Sequence, residues 1–303
     1  MKLAVMGAGA VGCYYGGMLA RAGHEVMLIG RPNHVRAIER EGLRLQTPSF
    51  DEAIAVSAST EASAVAGAEL VFFCVKSSDT ETAAAAMKPH LSGDALIVTL
   101  QNGVDNAERV RGIVTQEVCA AVVYVACEMA GPGHVRHHGR GELIVEPGDA
   151  AGRLAGVANA AGIQTELSAN VRGALWEKLV LNCAYNAISA LVQLPLGELR
   201  RLGGAGVDTA MRDIVAECIA VARADGVDMS DDVDATVQCI MSTIPAGQYS
   251  STAQDLARNR RSEIEHLNGH IVRRASVLGI PTPVNHLLLM LVRVLDNRRN
   301  LGV

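Results

Sequence analysis

The apolar positions of this chain fall into two regimes. In the first half, short unbroken apolar runs alternate with stretches spaced as one face of a helix. Runs at residues 2–6, 24–29, 70–75, 95–100 and 118–126 read as buried strands. Helical spacing covers 11–21, stopped by Gly23, and 32–41, opened by Pro32 and followed by Gly42. It recurs at 79–87, with Ser78 as the expected cap, and at 154–161. Shorter strands are expected at 43–46 and 52–56, joined by a Thr47-Pro48-Ser49 turn, and at 135–138, 143–145 and 164–167. From residue 170 the spacing is helical almost throughout. Helices are expected to about residue 190, then over 207–224, 233–241, 251–278 and 284–295. The pattern predicts an α/β domain with a doubly wound sheet over 1–169, followed by an all-α helical domain over 170–303.

The first run leads directly into Gly7-Ala8-Gly9-Ala10-Val11-Gly12, and a helix and a second strand follow. Strand, G-x-G-x-x-G, helix and strand in about thirty residues is the context that makes this motif a dinucleotide cradle. Gly7 allows the tight turn. Gly9 lets backbone amides approach a pyrophosphate, and Gly12 lets helix and strand pack closely. With Ala10 and Val11 they form the expected cofactor-binding turn of a Rossmann-type domain, the helix N-terminus facing the anion. The second strand ends Ile29-Gly30-Arg31-Pro32, without the acid that binds ribose hydroxyls in NAD-selective proteins. Arg31 is placed to pair with a 2′-phosphate, which favours NADPH/NADP. The competing reading is a surface arginine at a helix start.

Two further residues, Lys76 and Asn102, stand at strand C-termini, the ligand-binding edge of such a sheet. Turns also favour Asn-Gly. In the helical half, residues 172–186 are mostly apolar, interrupted by Lys178, Asn182 and Asn186. Spaced by four, they form one stripe on a helix. On a buried face such a stripe needs partners, and a polar ligand is the simplest. The alternative is an ordinary solvated face.

Composition narrows the function. The chain has 303 residues, 49% hydrophobic and 19% charged, which is enough for two packed domains. A net charge of -5 and 3% aromatic residues leave no basic stripe and few stacking rings, so nucleic acid is not an expected partner. The N-terminal apolar run is broken by glycine too early for a signal peptide. No uncharged stretch is long enough to span a bilayer: the best, 287–295, is short and contains Arg293. A soluble, cytoplasmic protein is expected, with its seven cysteines reduced. His134, His137 and His138 lack a completing ligand set, and Glu263, His266 and His270 match no zinc spacing. No metal is expected.

Taken together, GAGAVG, LIGR ending at Arg31, CVKS at Lys76, QNG at Asn102, LWEKLVLNCAYN, SSTAQD and RSEIEHLNG resemble the ketopantoate reductase family. The resemblance covers nearly the whole chain. It implies NADPH-dependent reduction of 2-dehydropantoate to pantoate, a step of pantothenate biosynthesis, by a Rossmann domain followed by a helical one. It assigns proton donation to Lys178 and substrate binding to Asn182, Asn186 and Ser251. Glu263 would hold substrate and orient the lysine. Asn102 would touch nicotinamide and substrate, and Arg31 and Lys76 the adenosine phosphate region. The implied partner is a small 2-oxo acid, with a homodimer open. One departure is Ile144-Val145, where the family usually has an Ile-Gly pair.

Two alternatives stand beside this reading: a reductase of another small 2-oxo or hydroxy acid, and an NADP-binding sensor without turnover. Ser251 and Glu263 also raise a geometric question. In a continuous helix they lie twelve positions apart (263 minus 251), about 18 Å, which is long for one small substrate. A break between them, or Ser251 lying before the helix starts, is therefore expected.

Overall fold

The computed structural model describes residues 1–300 and divides into two units, meeting between Val171 and Arg172. The first opens with β1 (Lys2–Met6), α1 (Ala10–Arg21), β2 (Glu25–Ile29) and α2 (Pro32–Glu41). Next come β3 (Leu43–Gln46) and β4 (Asp51–Ile54), an antiparallel hairpin closed by Thr47, whose Oγ1 accepts from the Ser49 and Phe50 amides. Then follow β5 (Ser57–Ser59), β6 (Leu70–Phe73), α3 (Thr80–Met87), β7 (Leu96–Thr99) and α4 (Asn106–Arg111). The unit closes with β8 (Val118–Gly131), β9 (His134–Val145), α5 (Ala151–Ala160) and β10 (Thr165–Leu167).

Parallel pairings order the strands β5-β2-β1-β6-β7-β8. The chain builds outward from β1 in one direction and then in the other. The order reverses between β1 and β6, the switch point where doubly wound sheets bind ligands. Beyond β7 the sheet curls on: β8 pairs antiparallel with β9, and β9 runs parallel to β3 and β10. Helix α1 joins the two regions. Its buried Cys13, Tyr15 and Leu19 share one core with Val5 and Leu28 of the parallel strands and Leu43, Leu45 and Leu143 of the added ones. Burying a side chain of Leu19's size contributes about 2 kcal/mol. Burial also pushes the Cys13 and Cys127 thiols up to about 12, so neither is a thiolate nucleophile.

Several expectations are corrected here. Residues 135–138 and 143–145 belong to one strand, β9. It passes through Gly139, Arg140 and Gly141, all at positive φ, as register shifts against β8 rather than a turn. Strand β5 is a polar Ser-Ala-Ser edge with no apolar pattern, and neither it nor the short α4 was among the expected elements. Ser78 does not cap α3. Residues Ser77–Asp79 form a 3₁₀ turn, and Ser78 Oγ donates to Asp79 Oδ1 at 3.0 Å.

The second unit is helical: α6 (Val171–Val192), α7 (Leu196–Gly203), α8 (Ala205–Ala224), α9 (Val233–Thr243), α10 (Ser251–Ala257), α11 (Asn268–Leu278) and α12 (Pro283–Asn300). Among the described residues no single helix is long and apolar enough to cross a membrane. The helix expected over 251–278 is two helices. Asn259 takes a left-handed φ of 55° just past α10, and a connector runs to a 3₁₀ turn at Ile264–His266. No proline or glycine marks this break. Asparagine tolerates that conformation, which is how it ended the helix unannounced. Gly279, left-handed at φ 70°, stops α11 at Leu278, the end expected for the 251–278 helix.

A buried polar chain holds α12 in this unit. Asn268 and Asn285 are fully buried, and Asn268 Nδ2 donates to Asn285 Oδ1 at 2.9 Å and to the Cys183 carbonyl at 3.3 Å. Asn285 Nδ2 in turn donates to Glu217 Oε2 at 2.7 Å. The Glu217 carboxylate also accepts from the Val284 and Asn285 amides at 2.8 and 2.9 Å, so it serves the donors that α12 leaves open at its N-terminus. Glu217→Ala strands those donors together with a buried amide. It is expected to lower unfolding free energy by about 1–3 kcal/mol. Urea unfolding followed by fluorescence of the single tryptophan, Trp176, measures this within the unit concerned.

Candidate active site

The glycine turn is shaped by exclusion. Gly7 has φ +115°, and a Cβ there would stand 2.6 Å from the Cys74 carbonyl carbon and the Val75 nitrogen. The turn after β1 is thereby pressed onto the turn after β6, across the switch point. The Gly7 and Ala8 amides donate to the Ile29 carbonyl at 2.9 and 2.8 Å, which ties the same turn to the end of β2. A Cβ on Gly12 would lie 2.2 Å from the Gly7 carbonyl oxygen and 2.7 Å from Val5 Cγ1, so α1 starts flush against β1. Gly9 differs from both. Nothing lies within 4 Å of where its Cβ would be. Gly9 precedes the first turn of α1 without a side-chain cap, and the ladder begins with Cys13 N donating to Gly9 O at 2.8 Å. The amides of Ala10, Val11 and Gly12 thus come before any helical partner. Unopposed amides, the positive end of a helix and open space fit a pyrophosphate.

The loops beside this turn are fastened by a polar cluster that joins residues distant in sequence. Ser77 Oγ donates to the Asn102 carbonyl at 2.8 Å, and Asn106 Nδ2 donates to the same carbonyl at 2.7 Å. Gln101 Nε2 donates to the Val75 carbonyl at 3.0 Å and to Thr80 Oγ1 at 2.8 Å. Arg109 Nη2 reaches the Ser77 carbonyl at 2.7 Å, and its guanidinium grips Glu81, holding that carboxyl below its ordinary range. Lys76 and Asn102 each ride on a loop clamped this way, Lys76 exposed and Asn102 half-buried. Arg31 is exposed at the start of α2, just past β2. Sequence reasoning named Lys76 and Asn102 but missed the buried Ser77, Thr80, Gln101 and Asn106 that set them. The available signal was a polar residue inside an otherwise apolar strand–loop junction.

In the helical unit the expected stripe on α6 is present. The helix is buried on most sides. Lys178 and Asn182 are half-buried and Asn186 is 4% exposed. Asn186 Nδ2 lies 3.4 Å from both Asn182 Oδ1 and Ser251 Oγ, so the stripe meets the first residue of α10. Ser250 makes that meeting firm. Buried at 2% exposure, its Oγ donates to the Asn186 carbonyl at 3.1 Å and accepts from the Ala253 amide at 3.0 Å. It caps α10 and pins it to α6 with one hydroxyl. Ser250 was missed because two adjacent serines look alike in sequence. Glu263 sits half-buried in the non-helical connector before Ile264, so Ser251 and Glu263 lie on separate elements. The break expected from their spacing is there. The same break removes the one-helix face on which Glu263, His266 and His270 could be drawn together, and among the described residues no group of three His, Cys, Asp or Glu is placed to hold a metal ion.

Comparison with known proteins finds matches along both units. The family described as Ketopantoate reductase PanE/ApbA matches residues 3–150, and its C-terminal counterpart matches 170–296. A 2-dehydropantoate 2-reductase of Halobacterium salinarum is 35% identical, with 97% of this chain and 98% of that protein covered. One from Caulobacter vibrioides is 31% identical over 96% of this chain and 98% of its own length. Among solved structures, a PanE/ApbA family ketopantoate reductase from Ralstonia eutropha JMP134 superposes with a TM-score of 0.95 at 63% identity, covering 99% of this chain and 100% of that one. D-mandelate dehydrogenase in complex with NADH and anilino(oxo)acetate superposes with a TM-score of 0.92 at 25% identity, covering 99% and 100%. A glycine cradle at a switch point, a lysine–asparagine stripe met by a serine, and matches along both units agree on one assignment: the chain belongs to the ketopantoate reductase family.

Proposed function

We propose that this protein reduces 2-dehydropantoate to pantoate with NADPH. The observation that carries the reading is the α6 stripe, where Lys178, Asn182 and Asn186 share one face of a mostly apolar helix and Asn186 meets Ser251. Polar groups gathered in such surroundings suit a small polar ligand. The family's relatives named 2-dehydropantoate 2-reductase, similar over their full length, supply the substrate class.

Bound NADPH supplies a hydride to C2 of the 2-oxo acid. As the C=O π pair moves onto oxygen, the Lys178 ammonium stabilises the growing negative charge and gives its proton to complete the alcohol. Asn182, Asn186 and Ser251 offer amide and hydroxyl groups to the substrate's oxygens. Glu263 holds the substrate and keeps the lysine oriented. Gly7, Gly9, Ala10, Val11 and Gly12 hold the pyrophosphate through backbone amides. Arg31 and Lys76 bind the adenosine phosphate region, and Asn102 contacts nicotinamide and substrate. This division makes residues 1–169 the cofactor domain and 170–303 the substrate domain.

A second reading keeps the chemistry and changes the ligand. D-mandelate dehydrogenase, crystallised with NADH and an aromatic oxo acid analogue, shares this fold along nearly the whole chain. A larger 2-oxo or 2-hydroxy acid is then the substrate. Steady-state oxidation of NADPH and of NADH with 2-dehydropantoate, phenylglyoxylate and smaller 2-oxo acids separates the two. The highest kcat/KM is expected for 2-dehydropantoate with NADPH. A preference for phenylglyoxylate would transfer the assignment to the second reading, and no turnover with any of them would favour a sensor.

Arg31→Ala is expected to raise KM for NADPH much more than for NADH, because a guanidinium fork recognises the 2′-phosphate that only NADPH carries. Equal changes for both cofactors would remove Arg31 from cofactor choice. Lys178→Ala is expected to lower kcat by about 100-fold or more, the low end for loss of a general acid. NADPH affinity, measured by titration, and thermal midpoint should stay near the parent values. A folded variant that binds NADPH and turns over normally would exclude Lys178 as the acid.

A further inference from the structure

Glu263 has no regular secondary structure to hold it. Residues 261–263 are neither helix nor strand, and the 3₁₀ turn that follows spans only Ile264–His266. The residues on either side of it are held by side chains from α12. Ser262, immediately before Glu263 and 9% exposed, is bound twice by one carboxylate: its amide donates to Asp296 Oδ1 at 3.1 Å and its hydroxyl to Asp296 Oδ2 at 2.5 Å. The same hydroxyl accepts from the Ile264 amide at 3.3 Å. The residues before and after Glu263 are thus both referred to Asp296. One turn earlier on α12, Arg293 grips Glu265 with contacts of 2.5 and 2.7 Å. Asn285, further back, holds Asn268. Ser262, Glu265 and Asn268 meet Asp296, Arg293 and Asn285 in antiparallel order, a ladder from α12 to the segment that carries Glu263.

We infer that Asp296 is a positioning residue for the reaction, acting through Ser262 to fix the Glu263 carboxylate. The inference rests on the role proposed above for Glu263. Two features single out Asp296 from the other rungs. Its hydrogen bonds are charge-assisted and go to a nearly buried serine adjacent to Glu263. The Arg293–Glu265 pair is an exposed ion pair two residues away, with side chains 46% and 29% exposed, and such pairs hold geometry weakly. Asn285 already has its structural duty at the start of α12.

The test is a double-mutant cycle on kcat/KM for 2-dehydropantoate. Asp296→Ala frees both Ser262 donors and is expected to lower kcat/KM by about 10-fold, against the roughly 100-fold that a 1 Å misplacement of a site group can cost. Asp296→Asn keeps an acceptor for Ser262 and should recover most of that loss. Arg293→Ala should change kcat/KM by less than about 3-fold. NADPH affinity should be unaffected in all of them. Introduced into Glu263→Gln, which is itself expected to be strongly impaired, Asp296→Ala should cause no further loss, because two residues acting through one carboxylate are not additive. Ser262→Ala, which removes the hydroxyl rung from the other side, replaces Asp296→Ala in the cycle should that variant not fold. The same fold-loss in both backgrounds, or a normal Asp296→Ala enzyme beside an impaired Glu263→Gln, would overturn the positioning role while leaving Glu263 in place. Normal activity in Glu263→Gln would remove both assignments together.

Discussion

Polar groups cut off from water must find partners, and in this protein that requirement sets the parts from which the site is built. An unpaired buried amide or hydroxyl costs about 1–3 kcal/mol, a large fraction of a domain's net stability. The buried polar side chains here are therefore not decoration on an apolar core. Gln101 and Asn106 tie the loop after β7 to the loop after β6 through Ser77, Thr80 and the Val75 and Asn102 carbonyls. Ser250 ties α10 to α6, and Asn285 ties α12 to both Asn268 and Glu217. The first two connections end beside residues proposed for cofactor or substrate: Lys76, Asn102, Ser251 and Asn186.

The glycine turn answers a complementary constraint, steric rather than polar. Gly7 and Gly12 sit where any side chain would strike backbone or the Val5 side chain, whereas Gly9 opens onto empty space. Two glycines are needed for packing and one for access. Packing the turn against the Cys74–Val75 backbone brings the loops after β1 and β6 together where the strand order reverses. Cradle and clamped loops are consequently parts of one edge of the sheet.

The proposed division of labour between cofactor and substrate rests on these two constraints. The first unit offers what a dinucleotide needs: unopposed amides at a helix start and a cation past the second strand. The second offers what a small oxo acid needs: a cation, amides and hydroxyls on helices whose other faces are buried. The proton donor proposed here, Lys178, is on a long, mostly buried helix and is held better than one on a loop, since its backbone is fixed by its own ladder and by packing on most sides. Glu263 is the exception, carried by an irregular connector, and there the polar rungs from α12 take over the work of a helix.

What the sequence determined by itself is local. Apolar periodicity defined most of the strands and helices, because burial acts on spacing within a single element. The G-x-G-x-x-G turn and the Lys178–Asn182–Asn186 stripe were legible for the same reason: a turn's backbone and a helix's face are properties of a few consecutive residues. Other features waited on the tertiary structure. Strand β5 is polar and exists because β2 offers it an edge. Strand β9 continues through Gly139-Arg140-Gly141 because β8 stays beside it. The helix expected over 251–278 divides after Ala257, and its connector is held at Ser262 by Asp296. The roles of Gln101, Ser250 and Asp296 depend on partners 21 to 64 residues away, and Asn106 also donates to Ser77 Oγ, 29 residues away. Which buried polar groups meet is decided only when separate elements pack, and no spacing along the chain encodes that meeting.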